Sequence, residues 1–217
     1  MQQGATQRPQ ESSVYAGDFG LWLAGVVRSF REDVGTEVPC GTCRGCCTSS
    51  YFIPVRPTDK KTLQVVPRHL LSSAPGLPVD HKIIGIGSGG ECALFVSGNC
   101  SIYSARPRTC RDYDCRIFTA AGVKAGGPDK RTIDRRVQNW QFSYACEQDV
   151  KIHQAIKTAA AFVAQNRSAF PDGRAPTSTS DIAVLAIKVY GVFLEPRARS
   201  PSEMASAIIA ASRAFDA

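Results

Sequence analysis

The chain has 217 residues, 43% hydrophobic and 21% charged, a mixture that folds rather than one that stays disordered. Twenty-six Lys and Arg against nineteen Asp and Glu leave a formal charge of +7, a moderate basic excess without a polybasic tail. A chain of this size buries enough apolar surface to fold without crosslinks, so its nine cysteines need another explanation.

Residues 1–13 are Gln-rich and polar and read as a disordered tail. Phe19, Trp22, Leu23, Val26, Val27 and Phe30 recur at helical spacing and predict a first helix over residues 15–32. Its apolar part, residues 19–27, is too short to cross a membrane, which takes about 20 residues. Glu11 and Asp18 before it and Arg28 after it make it a poor signal peptide, so the chain reads as cytoplasmic with no membrane partner. Residues 51–55 alternate weakly as a short strand stopped by Pro54 and Pro57, and Thr58-Asp59 caps a helix to about Val66. The proline-rich stretch 67–80 reads as loop. Residues 82–86 and 92–96 predict two strands of a hairpin around a turn at 87–90. Gly85, Gly87 and Gly90 match a dinucleotide fingerprint formally, but they run into a strand rather than opening a helix, so they are turn residues.

Arg106-Pro107 predicts a helical turn carrying Cys110, with Pro107 at its first position. A loop over 120–130 follows. Residues 132–166 then turn helical, best from Gln148, with Val150, Ile156, Ala159, Ala160 and Val163 as the apolar stripe. Residues 168–180 form a linker and 181–194 a helix. The last helix opens on Ser200-Pro201-Ser202-Glu203, a capping box. The expected fold is α+β and mostly helical, with an irregular cysteine-rich metal-binding centre and a short β-hairpin, packed by N- and C-terminal helices. The expected division is a tail at 1–13, a cysteine-cluster domain at 14–146 and a helical region at 147–217 packed on it.

The cysteines fall into two quartets and a singleton. Cys40, Cys43, Cys46 and Cys47 form Cys-x2-Cys-x2-Cys-Cys, Cys92, Cys100, Cys110 and Cys115 follow, and Cys146, standing apart, reads as a buried thiol acting as a small hydrophobe. An odd count without an export signal argues against a disulfide framework. Thiolates packed together repel, and a cation or iron–sulfur cluster relieves that repulsion. Gly41 and Gly45 permit close backbone approach and leave amides free to bond sulfur. The neighbours Cys46 and Cys47 point to opposite faces of an extended chain. They would then serve one ion each, or a shared multinuclear site.

Nine basic residues lie between positions 106 and 136, offset by four Asp. They read first as a solvated face with ion pairs, and second as charges that steady the thiolates, with Arg44, Arg111 and Arg116 beside cysteines. No zinc-finger helix or aromatic-interleaved motif accompanies them, which argues against nucleic acid as partner. His69, His81 and His153 lack ligand spacing to a cysteine pair. Tyr103 and Tyr113 read as packing residues over the cysteine centre.

Both blocks resemble a known family. Cys40-Gly-Thr-Cys43-Arg-Gly-Cys46-Cys47, then Cys100-Ser-Ile-Tyr103-Ser-Ala-Arg106-Pro107-Arg-Thr-Cys110-Arg111 and Cys115, are similar to the YkgJ-like CxxCxxCC cysteine-cluster proteins, known as zinc- or iron-chelating. The resemblance covers residues 40–115. It implies that all eight cysteines bind zinc or iron, with an iron–sulfur cluster among the options, and it supplies no reaction. Three readings follow: a metal-binding protein, an iron–sulfur oxidoreductase or electron carrier, and a basic metal-stabilised adaptor for RNA or an acidic partner. The ferredoxin run Cys-x2-Cys-x2-Cys is present, but Cys47 follows at once in place of the usual x3-Cys-Pro.

Overall fold

Asp18 ends one element and begins another. A computed structural model of the chain describes residues 13–32, 34–73, 76–195 and 198–217, so the expected tail, apart from Ser13, lies outside the described residues. Strand β1 (Val14–Asp18) runs straight into helix α1 (Phe19–Arg31), whose first turn is capped by the Asp18 carboxylate accepting from Leu21 N–H at 3.0 Å. The helix expected from residue 15 therefore starts four residues later. Its first turn is replaced by parallel pairing of β1 with a strand more than 120 residues away. That partner interrupts the long helix expected over 132–166, giving α5 (Arg131–Asn139), β7 (Trp140–Ser143) and α6 (Glu147–Gln165). Parallel strands need a long crossover, and here the whole cysteine region forms it.

Within that crossover, β2 (Ile53–Val55), α2 (Lys60–Val65), β3 (Leu71–Ser72) and β4 (Lys82–Ile84) build an antiparallel sheet of order β2-β4-β3. One strand thus lies inside the stretch read as loop. The expected hairpin of 82–86 with 92–96 shrinks to one bridge, Ile86 with Cys92. Instead β5 (Phe95–Val96) turns back on β6 (Asn99–Cys100). The turn between them, Ser97-Gly98, has φ of 49° and 79°, the left-handed pair that tight hairpins require. The glycines at 87–90 form a turn, Gly90 N–H bonding Gly87 O at 3.1 Å, as their sequence context requires.

Helix α3 (Arg108–Asp112) begins one residue later than expected, with Pro107 as extended N-cap. Helix α4 (Arg116–Ala121) has too few residues to show a periodicity of its own. Helices α7 (Thr179–Val189) and α8 (Pro201–Asp216) complete the chain, and α8 carries the full capping box between Ser200 and Glu203. Ile156, Ala159, Ala160 and Val163 of α6 are fully buried against α4 and α7, whereas Val150 is half exposed at the helix start.

Two cores result. The helical core gathers Phe19, Trp22, Phe118, Ile156, Ile187 and Ile208 among others, and includes Cys115. The smaller one gathers Ile53, Val55, Val66, Ile84, Cys92 and Leu94, with Cys110 packed against it. A buried polar link runs through the edge of the helical core. Arg116 and Asp114 pair at 2.7 Å with side chains 8% and 2% exposed, and Trp22 Nε1–H donates to the same carboxylate at 3.0 Å. Arg116 also donates to the carbonyls of Ala16 and Glu37.

Two stability measurements check this framework. Asp114→Ala strands Arg116 without its counter-charge and lowers the unfolding free energy by about 3–5 kcal/mol, read from denaturant midpoints. His153 stacks on Phe19 at 4.7 Å, accepts or donates one bond with Tyr144 at 2.7 Å, and is lowered to about 4, chiefly by burial. The unfolded chain takes up this proton near pH 6.5 and the folded chain resists until about pH 4, so stability is complete above 6.5 and declines between those values. His153→Phe flattens that part of the pH–stability curve.

Candidate metal centre

The first cysteine block is not regular structure, and cations shape it. Arg136 on α5 donates to Cys40 O at 2.6 Å, Arg44 donates to Gly41 O and Cys43 O at 2.9 and 3.0 Å, and Lys130 Nζ holds Ser49 O. With Arg116 on Glu37 O, four cations bind carbonyls of residues 37–49. Gly45 lies against α5, where a Cβ would stand 3.2 Å from the Ile133 side chain, and Gly41 has φ +56°. Gly45 N–H points at Cys43 Sγ at 3.5 Å. Gly45 thus does what its place in the motif suggests, while Gly41 supplies only the left-handed turn.

Cys46 and Cys47 lie in a 3-10 turn at Gly45–Thr48, not in extended chain, and their sulfurs are 4.0 Å apart. Two thiolates on one tetrahedral zinc, with Zn–S near 2.3 Å, stand about 3.8 Å apart. The turn thus brings adjacent sulfurs to one side, and the opposite-face expectation fails because it assumed a strand. Cys47 O accepts from Cys92 N–H at 2.8 Å, and Ser50 and Gly90 bond beside it. Cys100 sits on β6 beside Asn99, whose side chain takes a bond from Arg44 at 3.2 Å.

The second block is anchored by the sheet. Asp59, expected to cap α2, instead accepts from Arg56 N–H and from Arg108 N–H at the start of α3. Thr109 Oγ1 donates to Pro54 O at 2.8 Å. These bonds fix Cys110 over the sheet. Cys115 lies on the other side, buried in the helical core, and receives the Trp140 indole N–H at 3.2 Å.

Electrostatics link the eight thiols. Burial pushes Cys110 up to about 12, with Cys46, Cys92 and Cys100 adding to the shift. Burial pushes Cys115 up to about 12 as well; the Trp140 N–H opposes it, and Cys40 and Cys43 add. Cys40 is raised by burial and then by Cys46 and Cys43, against the pull of Arg136. Cys47 is raised chiefly by donating to Cys46, and Cys46 is correspondingly lowered to about 7, with help from Arg106. All nine cysteines are free thiols. Among the described residues, no three His, Cys, Asp or Glu side chains converge tightly enough to hold an ion as they stand.

Other sequence expectations are corrected here. Arg116 is committed to Asp114 and to the carbonyls of Ala16 and Glu37, while Arg136 pulls on Cys40 and Arg106 on Cys46. Cys146 is exposed, at the N-cap of α6, not buried. Tyr103 is 67% exposed under Arg106, whereas Tyr113 is half-buried and bonds Tyr51 at 3.3 Å. Trp140 is the residue that sequence reasoning missed, because nothing in the motif marks an aromatic 25 positions after Cys115. Of the eight clustered thiols, the metal-free protein alkylates first at Cys46, which is exposed and lowered, and last at Cys110 and Cys115. Timed iodoacetamide labelling at pH 7 with peptide mapping reads that order.

Among curated proteins and among solved structures, none matches the chain. A family model does, CxxCxxCC, described as a "putative zinc- or iron-chelating domain", over residues 39–147. The match runs past Cys115 through α5 and β7, and so takes in Arg136 and Trp140 as well as both cysteine blocks. Spanning half of the sequence, that match makes the chain a member of the CxxCxxCC family.

Proposed function

We propose that the protein binds zinc or iron through Cys40, Cys43, Cys46, Cys47, Cys92, Cys100, Cys110 and Cys115. The observation that carries this is the convergence of two blocks separated by over forty residues. Cys47 is tied to Cys92 through the backbone, and thiols of both blocks act on one another. The Cys46–Cys47 sulfur separation of 4.0 Å suits one edge of a tetrathiolate site. A bound ion would supply the positive charge that lets the buried thiols lose their protons. The surrounding cations would offset the residual charge of the thiolates.

In this reading residues 14–146 form the metal-binding domain and 147–217 its helical support. Free thiols in such number also suit a reducing, cytoplasmic setting. No described helix is long and apolar enough to cross a membrane. The N–H donors from Gly45 and Trp140 to sulfur favour, as a second reading, an iron–sulfur cluster used in electron transfer.

Anaerobic purification followed by elemental analysis and a visible spectrum tests the reading. Colourless protein with about two zinc ions per chain is the tetrathiolate outcome. Brown protein with iron and acid-labile sulfide is the iron–sulfur outcome. Protein that neither retains nor takes up either metal overturns the assignment. Affinity falls as pH drops, because protons compete for the sulfurs, and a pH series of metal titrations measures this.

A further inference from the structure

Cys46 and Cys47 are neighbours in sequence and in space. The turn Gly45–Thr48 sets their sulfurs 4.0 Å apart, in contact with each other. Cys46 is exposed and Cys47 half-buried, whereas Cys92 and Cys115 are buried. A small thiol-reactive molecule therefore meets Cys46 first and finds a second sulfur beside it. The backbone builds this contact: Cys47 N–H donates to Arg44 O at 2.9 Å, Thr48 Oγ1–H donates to the same carbonyl, and Ser49 Oγ–H donates to Gly45 O at 2.6 Å.

We propose that Cys46 and Cys47 are a reversible redox pair that closes as a disulfide between neighbouring residues in the metal-free protein, so that oxidation and metal binding exclude each other at this turn. The exclusion rests on the metal-binding reading above; the redox pair stands on the sulfur contact alone. The oxidant is a low-molecular-weight disulfide of the glutathione class. The Cys46 thiolate attacks one of its sulfurs. The S–S bond of the oxidant breaks, a mixed disulfide forms on Cys46, and one small thiolate leaves and takes up a proton. The Cys47 thiolate then attacks Cys46 Sγ, the second small thiolate leaves and is protonated in turn, and the Cys46–Cys47 bond remains. Two protein thiols are oxidised, and one small disulfide is reduced to two thiols.

Geometry makes the bond reversible. Neighbouring Cα atoms stand about 3.8 Å apart across a trans peptide. Ordinary disulfides span about 4.4–6.8 Å between Cα atoms, and bonds outside that range store strain and are reduced more easily. The sulfurs must also close from 4.0 Å to about 2.05 Å. The peptide inside the resulting ring is the one whose N–H bonds Arg44 O, so closure pulls against the turn. The Cys47 carbonyl, just outside the ring, accepts from Cys92 N–H at 2.8 Å and ties the two blocks together. Oxidation thus removes two donors from one ion and strains that tie, and reduction restores both. Such a bond acts as a switch, not as part of a disulfide framework.

Trypsin isolates the pair for a test. Peptide 45–60 contains Cys46 and Cys47 and no other cysteine, because Pro57 protects Arg56 from cleavage. The full chain, stripped of metal under argon, is treated with glutathione disulfide, blocked with iodoacetamide, digested and weighed. The expected wild-type peptide carries no label and is lighter by two hydrogens than its dithiol form, and dithiothreitol before blocking restores two labels. Cys47→Ser instead keeps glutathione on Cys46; if that variant does not fold, the wild-type peptide decides alone. In guanidinium the same treatment scatters over all the cysteines, whereas the native chain confines the internal bond to peptide 45–60. A peptide joined to another cysteine, one that retains glutathione or both labels, or a native map as scattered as the denatured one overturns the redox pair. Zinc-loaded protein given the same dose shows loss of the two-hydrogen shift, and the oxidised chain takes up less zinc until it is reduced. Closure undiminished by bound zinc overturns the exclusion. A reduced chain that takes up neither zinc nor ferrous iron overturns the metal-binding reading and the exclusion with it, while peptide 45–60 still decides the redox pair.

Discussion

The buried pair of Asp114 and Arg116 holds the cysteine region in register with the rest of the chain. A lone buried ion of either kind would cost several kcal/mol. Here each is answered. The carboxylate accepts from Trp22, from the Arg116 backbone and from its guanidinium, while the guanidinium spends its other donors on Ala16 O and Glu37 O. Five places are thereby joined: β1, α1, the approach to Cys40, the turn bearing Cys115 and the start of α4. Apolar packing would not fix them so closely, because it lacks direction. The pair lies immediately before and after Cys115, so what anchors the framework also sets one sulfur.

The cations around the first block follow the same logic. A loop of eight residues with four cysteines and two glycines has no ladder for its carbonyls. Arg44, Lys130 and Arg136 accept that work. With the carbonyls turned toward cations, amides such as that of Gly45 are left for sulfur. Positive charge close to the thiols also lowers the cost of ionising them, visible in the pull of Arg136 on Cys40 and of Arg106 on Cys46. Burial acts in the opposite direction and more strongly at Cys110 and Cys115. Burial thus favours the protonated thiol at both positions.

What could be read from the sequence was what is encoded locally. The capping box at Ser200, the stripe of α6 from Ile156 onward and the turn at 87–90 depend on neighbours within a few residues, and they fold as read. The two cysteine blocks were legible because their residue type has few other uses in a reducing setting. The pairing of β1 with β7 was not, since strands of five and four residues joined over so long a crossover leave no local period. Nor was the role of Trp140, an ordinary apolar residue in sequence whose polar atom matters only once Cys115 lies against it. Cys146 was misread because cysteine is usually buried, whereas here it caps a helix at the surface.

The sheet side shows where a bound metal would add most to this fold. Its core has six buried residues, one of them Cys92, and its longest strand has three residues. A core of that size falls short of what an independent unit needs. The Asp59 carboxylate, bonded to Arg108 N–H and 3.7 Å from the Arg111 guanidinium, and the Thr109 hydroxyl fasten it to α3, but such contacts contribute only about 1–3 kcal/mol each. An ion held between the first block and the sheet-side cysteines Cys92 and Cys110 would tie α3, the sheet side and the first block at one point. Structural zinc contributes on the order of 10–16 kcal/mol, far above what those bonds give. The helical core, with dozens of packed side chains, has no such need. Metal loss would therefore loosen the sheet side first and leave the helices standing.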